Sequence, residues 1–220
     1  MYGGSSGTGT RLAASTDGHV LTATGAGSAP AWEANTATKG WDLINTYPVT
    51  SNGATILITL KQPIDSDYYC DVFVLSNLVA HSSSGDFMMT VMTSGNASVG
   101  THQNGFQRTK ISGDSDVGYF YAGDARLCNN LSTDDNHGMN GVIYLFCDNA
   151  MNTNRCPYWT YDLVFMNSSS VAYHITGAGR VNNDISTARK VSFSKQNGGF
   201  STDDGQLSSP FICHYAIKHG

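Results

Sequence analysis

The chain has few charged residues, and almost none of its carboxylates are glutamates. Glu33 is the single glutamate, and Lys, Arg, Asp and Glu together make up 13% of the 220 residues. A pair of glutamates that could act as glycosidase acid and base is therefore missing, although Asp114 and Asp116 could serve instead. The Gly-x-Ser-x-Gly, His-Glu-x-x-His and phosphate-loop motifs are missing too, and Gly-Ala-Gly-Arg at 177–180 is too generic to indicate phosphate binding. We predict that the chain is not an enzyme and binds no cofactor.

Long apolar runs and basic clusters are also missing. No apolar run approaches the roughly 20 residues that a membrane-spanning helix needs, so we predict no membrane insertion. The N-terminal residues 1–6 have neither the basic nor the apolar region of an export signal. Twelve Lys and Arg are scattered among 17 acidic residues, giving a net charge of −5. Because nucleic-acid binding proteins concentrate positive charge on one surface, we predict no nucleic-acid partner.

The metal-ligating residue types are present but do not form the spacings of metal sites. The seven histidines include no i, i+2 or i, i+4 pair, and the five cysteines are odd in number with no Cys-x-x-Cys. We predict no metal site, although clustered oxygens at 65–67 and 134–138 leave a structural calcium open. The cysteines are predicted to be reduced and mostly buried. Cys147 and Cys156 bracket a turn-rich segment and are the pair that a disulfide would join.

The residues that are abundant favour strands and turns. The chain has 24 glycines and many Ser, Thr and Asn, and apolar residues recur with the period of two that a half-buried strand requires. This pattern predicts about eight strands, in segments 56–60, 69–75, 87–92, 117–121, 142–147, 158–165, 190–193 and 211–218. Segment 122–130 could form one helical turn. We predict an all-β, antiparallel two-sheet β-sandwich of jelly-roll type over residues 40–220, after an extended N-terminal stem.

The first 39 residues differ from the rest in composition. They are rich in Gly, Ala, Ser and Thr, and after Leu12 their only large aliphatic side chains are Val20 and Leu21. One copy of such a segment buries too little to offset its ordering entropy, whereas several parallel copies wound together could. A flexible linker and an intertwined stem are the two interpretations. We divide the region into a flexible or docking tip, 1–10, and an extended stem, 11–39.

A motif runs through this stem, from the turn signal Asp17-Gly18 through a strand-like segment to a proline and a tryptophan. It resembles a peptide of bacteriophage tail-fibre and related virion-fibre proteins, where Leu-x-x-Gly-Thr-Asp-Gly-Gln-Val-Leu-Thr runs into Gly-x-x-x-Pro-x-Trp before a C-terminal β-domain. The matching positions are Leu12, Thr16, Asp17, Gly18, Val20, Leu21, Thr22, Gly27, Pro30 and Trp32. Ser15 and His19 stand where that peptide usually has Gly and Gln.

The two ends of the remaining chain carry a second resemblance. Gly40-Trp41-Asp42-Leu43-Ile44 is similar to the Gly-Trp-x-x-Ile opening of a terminal module in fibre proteins of marine phages. Gly-Gly-Phe-Ser at 198–201 and the Tyr-x-Ile-Lys ending at 215–218 are similar to its closing pattern, with Ala216 where glycine is usual. Residues 80–185 match only in their strand rhythm.

These resemblances imply a function. They imply a trimeric tail-fibre or fibre-tip receptor-binding protein of a phage virion, made in the host cytoplasm, that recognises a host surface glycan. A capsid head fibre or decoration protein anchored by its N-terminal arm is the alternative. The implied partners are further copies of the chain, another virion protein at the N-terminus and host carbohydrate. The residues implied in the trimeric stem are Leu12, Val20, Leu21, Pro30 and Trp32.

A glycan site would need aromatic faces for stacking, with Asn, Asp and Arg for hydrogen bonds. The middle of the chain supplies both kinds of residue in or beside loops between predicted strands. The residues predicted to bind ligand are Tyr119, Tyr121, Asn130, Asp135, His137, Arg155 and Tyr158.

Overall fold

The computed structural model describes residues 2–3, 9–10, 19–22, 31–34, 40–61, 67–122, 124–133, 138–147, 156–182, 188–196, 199–202 and 210–218. These residues form strands and contain no helix, so none of them provides a helix long and apolar enough to cross a membrane. The strands are β1 (Tyr2–Gly3), β2 (Gly9–Thr10), β3 (His19–Thr22), β4 (Ala31–Ala34), β5 (Trp41–Pro48), β6 (Ile56–Thr59), β7 (Tyr68–Leu78), β8 (Gly85–Thr93), β9 (His102–Lys110), β10 (Ser115–Ala122), β11 (Ala125–Leu131), β12 (Met139–Phe146), β13 (Tyr158–Met166), β14 (Ala172–Val181), β15 (Ala188–Lys195) and β16 (Phe211–Lys218).

The chain divides into two units, residues 1–39 and 40–220. In the first unit, β1 pairs antiparallel with β2, and β3 pairs antiparallel with β4. β3 and β4 both fall within the predicted stem, and their backbone groups bond to each other as in other antiparallel pairs. Among the predicted stem residues, Leu21 lies opposite Trp32, and Val20 is in β3. Leu12 and Pro30 lie outside the described residues.

The second unit is an antiparallel two-sheet sandwich, as predicted. The large sheet has the order β10-β9-β14-β13-β12-β7-β16-β5, and the small sheet has the order β11-β8-β15-β6. From β5 to β8 the chain changes sheet at every step, as the strands of a jelly roll do. The same alternation resumes at β11 and ends at β16. Two hairpins, β9–β10 and β13–β14, interrupt it and extend the large sheet beyond β12.

The core lies between the two sheets. In β13 the side chains of Trp159, Tyr161, Leu163 and Phe165 are buried, and the residues that alternate with them through Val164 are exposed, as the period-two pattern predicts. Phe73 of the large sheet meets Phe193 of the small sheet in an edge-to-face contact, with ring centroids 5.1 Å apart. Burial of each such side chain contributes about 1.5–3 kcal/mol, so these rings are a main source of sheet-to-sheet adhesion.

The two ends of the second unit pair with each other at the edge of the large sheet. Trp41 of β5 lies opposite Ile217 of β16, and its ring contacts Tyr215 at a centroid distance of 5.8 Å. Lys218 Nζ lies 3.0 Å from Asp42 Oδ2, which also accepts a hydrogen bond from the Tyr68 hydroxyl. The Gly-Trp opening and the Tyr-x-Ile-Lys ending therefore form one structural element, although about 170 residues separate them along the chain.

One local prediction is wrong. Segment 122–130, which we considered as a helical turn, belongs mostly to β11. Ala125, Leu127 and Leu131 are fully buried, and irregularities on either side of Cys128 shift the register against β8. The irregular register brings neighbouring residues such as Leu127 and Cys128 to the core together, which gives the sequence an apparently helical spacing. Pairing with β8 determines the strand conformation instead.

All five cysteines are free thiols. Cys70, Cys128 and Cys147 are buried, and Cys156 and Cys213 are half-buried. The prediction of reduced, mostly buried thiols agrees with this arrangement, and Cys147 does not form a disulfide with Cys156.

Candidate functional site

An open groove of about 570 Å³ lies on the large sheet where β13, β14 and β9 run side by side. It is lined by Gln103, Asn104, Gly105, Tyr158, Trp159, Thr160, Ala178, Gly179 and Arg180. Tyr158 and Arg180 are exposed, while Trp159 between Tyr158 and Thr160 is fully buried. The alternation places the groove on the face of the sheet that is turned away from the core.

Small residues on neighbouring strands create the depression. Ala178 of β14 lies opposite Thr160 of β13 on one side and Gly105 of β9 on the other. Side chains on one face of a sheet stand side by side in such rows, so a Thr-Ala-Gly row leaves the surface low. The next row holds Tyr158, Arg180 and Gln103, whose longer side chains border the low region.

The floor of the groove is held from beneath by a buried hydrogen-bond network. The indole Nε1 of Trp159 donates to Asn104 Oδ1 at 3.0 Å, and Asn104 Nδ2 donates to the Tyr161 hydroxyl at 2.7 Å. The same Nδ2 also donates to the backbone carbonyl of Arg126 in the small sheet. Burial raises the pKa of Tyr161, and the hydrogen bond from Asn104 offsets this increase only in part. The Tyr161 hydroxyl therefore stays protonated at ordinary pH.

Two glycines let β14 lie close to this network. A Cβ atom on Gly177 would collide with the ring of Tyr161, and one on Gly179 would collide with the ring of Trp159. Neither aromatic ring has space to retreat, because both are buried. Glycine at these positions is therefore a requirement of close packing between β13 and β14, and it brings the backbone of β14 down to form the groove.

An aromatic stack forms one wall. Phe146 of β12 and Tyr158 of β13 are cross-strand neighbours, and their rings stack at a centroid distance of 4.7 Å and an interplanar angle of 10°. Tyr158 is 52% exposed. Stacking on Phe146 limits the rotamers of Tyr158, so the exposed ring is already ordered before a ligand arrives.

A polar pair continues this wall along the same row. Arg180 Nε donates a hydrogen bond to Gln103 Oε1 at 2.9 Å. Arg180 lies directly opposite both Tyr158 and Gln103 in the sheet register. The row from Phe146 through Tyr158 and Arg180 to Gln103 crosses four strands, which corresponds to a length of about 14 Å at the usual strand spacing.

The groove has the composition of a binding site. Its volume is within the range of about 300–1,000 Å³ that is usual for ligand pockets, and it combines an aromatic face with a few polar groups. Its described lining contains no carboxylate, histidine or cysteine. Within the described part of the chain, no three His, Cys, Asp or Glu residues come together as metal ligands. Binding through stacking and hydrogen bonds is the chemistry that these residues can perform.

The structure brings only part of the predicted ligand site together. Tyr158 lines the groove, and the register places the backbones of Tyr119 and Tyr121 opposite Gly105 and Gln103. Asn130 lies away from Tyr158, because the Asn130 carbonyl accepts a hydrogen bond from Ser168, beyond the far end of β13. Strand geometry puts that end about 27 Å from Tyr158. Asp135, His137 and Arg155 lie outside the described residues.

Other groove residues were not predicted. Gln103 and Gly105 belong to a polar strand without the period-two pattern, and Ala178 and Arg180 belong to the Gly-Ala-Gly-Arg segment considered only as a phosphate loop. A usable signal was the alternation of Gly177 and Gly179, since glycines two apart in a strand indicate a close approach by another group.

The aspartates that could have replaced glycosidase glutamates lie away from the groove. Asp116 pairs with Arg108, and Asp114 Oδ2 lies 3.2 Å from Lys110 Nζ. Both are at the β9–β10 turn. Their ion pairs give them a structural role in this hairpin.

Comparison with known proteins gives no further guide, because no family model, no curated protein and no solved structure matches the chain.

Proposed function

We propose that this chain is a phage virion fibre protein, a trimeric tail fibre or fibre tip, that recognises a host surface glycan through the groove between β13, β14 and β9. The observation that carries the binding proposal is the ordered, exposed ring of Tyr158 beside the Arg180–Gln103 pair. Sugars present an apolar C–H face and a rim of hydroxyls. A ring placed on Tyr158 could therefore also reach hydrogen-bonding groups in the same row.

The open shape of the groove favours a chain-like ligand. It is bordered by side chains along one row and is accessible from solvent, and Tyr158, Thr160 and Arg180 are all exposed. A surface polysaccharide can enter such a site at any point along its length, whereas a small ligand is better retained in a closed cavity.

The fibre part of the proposal is supported by the ends of the chain. The opening and closing segments that resemble the phage module are joined in one edge pair, β5 with β16. In the N-terminal unit, Leu21 is 51% exposed and Trp32 is 40% exposed. We propose that further copies of the chain cover these two side chains in a trimer, and that the N-terminal tip docks on another virion protein.

Adsorption of the purified protein to bacterial cells tests this function. Labelled protein is titrated onto a panel of strains that includes the host, and we expect saturable binding to host cells. Tyr158→Ala should reduce that binding strongly, because it removes the stacking surface. Val164→Ala, an exposed position on the same strand outside the groove, is the control and should bind like the wild type.

Four outcomes count against the proposal in different ways. Equal binding by the Tyr158→Ala and wild-type proteins would place the receptor site elsewhere. Absence of saturable binding to any strain would exclude receptor recognition. Gold-labelled antibody against residues 40–220 distinguishes the location: label on the tail is expected, label over the head would indicate the capsid alternative, and unlabelled virions would overturn both. Under the capsid alternative, deletion of residues 1–10 should release the protein from particles.

A further inference from the structure

We infer that the ligand of the groove is an acidic saccharide whose carboxylate is bound by Arg180. This inference depends on the proposed glycan-binding function and specifies the class of sugar. Arg180 is the single charged residue in the described lining. A cation in a site that otherwise contains aromatic, amide, hydroxyl and small residues selects for an anionic group on the ligand.

Arg180 differs in its partners from Arg108 and Arg126, the arginines of the neighbouring strands β9 and β11. Arg108 pairs with Asp116, and Arg126 Nε lies 2.9 Å from Asp86 Oδ2. Among the described residues no carboxylate pairs with Arg180, and its side-chain partner is the neutral amide of Gln103. Among the described residues, Arg108 and Arg126 are thus neutralised by ion pairs, whereas the charge of Arg180 is not, and Arg180 is the one of these three that lines the groove.

The hydrogen bond to Gln103 also orients the guanidinium group. It uses Nε as the donor and accepts at Gln103 Oε1, 2.9 Å away. The two terminal nitrogens are not used in this bond, and together they can donate two parallel hydrogen bonds to one carboxylate. Holding Nε fixed reduces the conformational entropy that Arg180 loses when the anion binds.

The position of Tyr158 explains why the anion would be part of a sugar. Tyr158 and Arg180 are direct cross-strand neighbours, so their Cβ atoms are about 5 Å apart. A uronic or sialic acid carries its carboxylate on the edge of the ring. With the sugar ring stacked on Tyr158, such a carboxylate is within reach of Arg180.

The nearby carboxylate of Asp162 does not pair with Arg180 in place of the ligand. Asp162 is the next acidic residue along β13, two positions beyond Thr160. Its Oδ1 lies 2.8 Å from His174 Nε2, which provides a local polar partner. Two residues of strand add about 7 Å beyond Thr160, so Asp162 is separated from Arg180 by the Thr-Ala-Gly row.

A glycan panel tests the inference with the full-length protein. The panel holds oligogalacturonate, oligoglucuronate and sialylated oligosaccharides, the carboxyl-reduced form of each, and neutral and sulfated oligosaccharides. We expect binding to one or more carboxylated members, loss of that binding after carboxyl reduction, and weaker binding at high salt. Arg180→Gln should weaken binding roughly ten- to a hundredfold. Arg180→Lys should restore it only in part, because lysine lacks the planar fork.

Lys190→Gln is the matched control, since it removes one positive charge from the small sheet, where Lys190 Nζ bonds to Asn96. It should leave binding unchanged. Equal binding of carboxylated and carboxyl-reduced sugars that depends on Tyr158 but not on Arg180 would overturn the acidic-ligand inference while leaving the glycan-binding function in place. Binding of sulfated members alone would overturn the carboxylate assignment. A protein that binds no member of the panel and no host cells would overturn both proposals.

Discussion

Asn104 Oδ1 accepts a hydrogen bond from Trp159 Nε1 at 3.0 Å in the buried layer beneath the groove. The amide nitrogen of the same side chain donates to the hydroxyl of Tyr161 and to the carbonyl of Arg126 in the small sheet. The side-chain amide of Asn104 therefore provides hydrogen-bond partners for two buried aromatic side chains of the large sheet, and it also links that sheet to the small one. Few side chains other than asparagine could serve as both acceptor and donor in this space.

Replacement of Asn104 by leucine should destabilise the protein by roughly 2–5 kcal/mol, because two or three buried polar groups lose their partners at about 1–3 kcal/mol each. Urea unfolding followed by tryptophan fluorescence measures the effect. Gln107→Leu, at an exposed position of the same strand, is the control and should change stability by less than about 0.5 kcal/mol. Equal stability of the Asn104→Leu and wild-type proteins would show that the network is not stabilising.

Two glycine substitutions should have opposite consequences. Gly179→Ala should cost roughly 1–3 kcal/mol, because its Cβ would meet the buried Trp159 ring. Gly105→Ala should be tolerated, since among the described atoms its Cβ would meet the carbonyl oxygen of Ala178, at an ordinary distance of 3.9 Å. That methyl group would, however, narrow the groove. We expect Gly105→Ala to unfold at the same urea concentration as the wild type and to bind ligand more weakly. Unchanged binding would indicate that the ligand does not contact the Thr-Ala-Gly row.

The sandwich could be predicted from the sequence because its most regular strands carry clear patterns. In β13 every second residue is large and apolar, and the structure buries that set. The same applies to β6, where Ile56 and Ile58 are buried and Leu57 is exposed. In both strands the hydrophobicity of alternate side chains determines which face is buried. This pattern can be recognised without knowing which strand lies next to them.

The groove could not be predicted in the same way, because two strands that form it lack the apolar pattern. In β9 the inward residues include His102 and Asn104, which are buried because they hydrogen bond to partners distant in sequence. In β14 the inward positions 177 and 179 are glycines, and aromatic rings of β13 fill the space that their side chains leave. Burial at these positions depends on pairwise contacts, so the sequence of one strand does not reveal it.

The edge strand β5 was missed for another reason. A register shift between Leu43 and Asn45 interrupts its alternation against β16. A bulge of this kind moves the following residues to the opposite face, so apolar residues no longer recur at every second position. The resemblance to the phage module identified this segment as a boundary, although its residues alone did not indicate a strand.

A buried lysine should contribute to stability through the loop that follows β7. Lys195 is 2% exposed, and its Nζ donates to the carbonyls of His81 and Ser83 and to the Ser83 hydroxyl, at 3.0–3.2 Å. Lys195→Met keeps most of the side-chain volume but removes three hydrogen bonds. We expect a loss of at least about 1.5–3 kcal/mol in urea unfolding, which is the usual value for a single hydrogen bond to a charged group.

Lys190→Met, on the same strand, is the matched control for that substitution. Lys190 is only half-buried, and its side-chain partner among the described residues is Asn96, at 2.8 Å, so its replacement should have a much smaller effect. If the two methionine variants were equally stable, the bonds of Lys195 to the loop would contribute nothing beyond those of a surface lysine.

Alkaline pH should destabilise the fold through its buried thiols. Burial raises the pKa of Cys70 and of Cys128 from 9.0 to about 12, and it also raises the pKa of Cys147. In the unfolded chain these thiols lose their protons near pH 9, whereas in the folded protein they remain protonated. Because the unfolded state then binds fewer protons, stability is unaffected below about pH 9 and falls as the pH rises from 9 towards 12.

For each such thiol the slope approaches about 1.4 kcal/mol per pH unit. The measurement is urea unfolding in the presence of a reductant at a series of pH values from neutral to strongly alkaline. Cys128→Ala removes one of the groups, so its stability should fall less steeply with pH than that of the wild type, whatever the cost of the cavity at neutral pH. The difference in free energy of unfolding between the Cys128→Ala and wild-type proteins should therefore be constant below about pH 9 and become smaller above it. A constant difference over the whole range would mean that the Cys128 thiol titrates alike in the folded and unfolded chains.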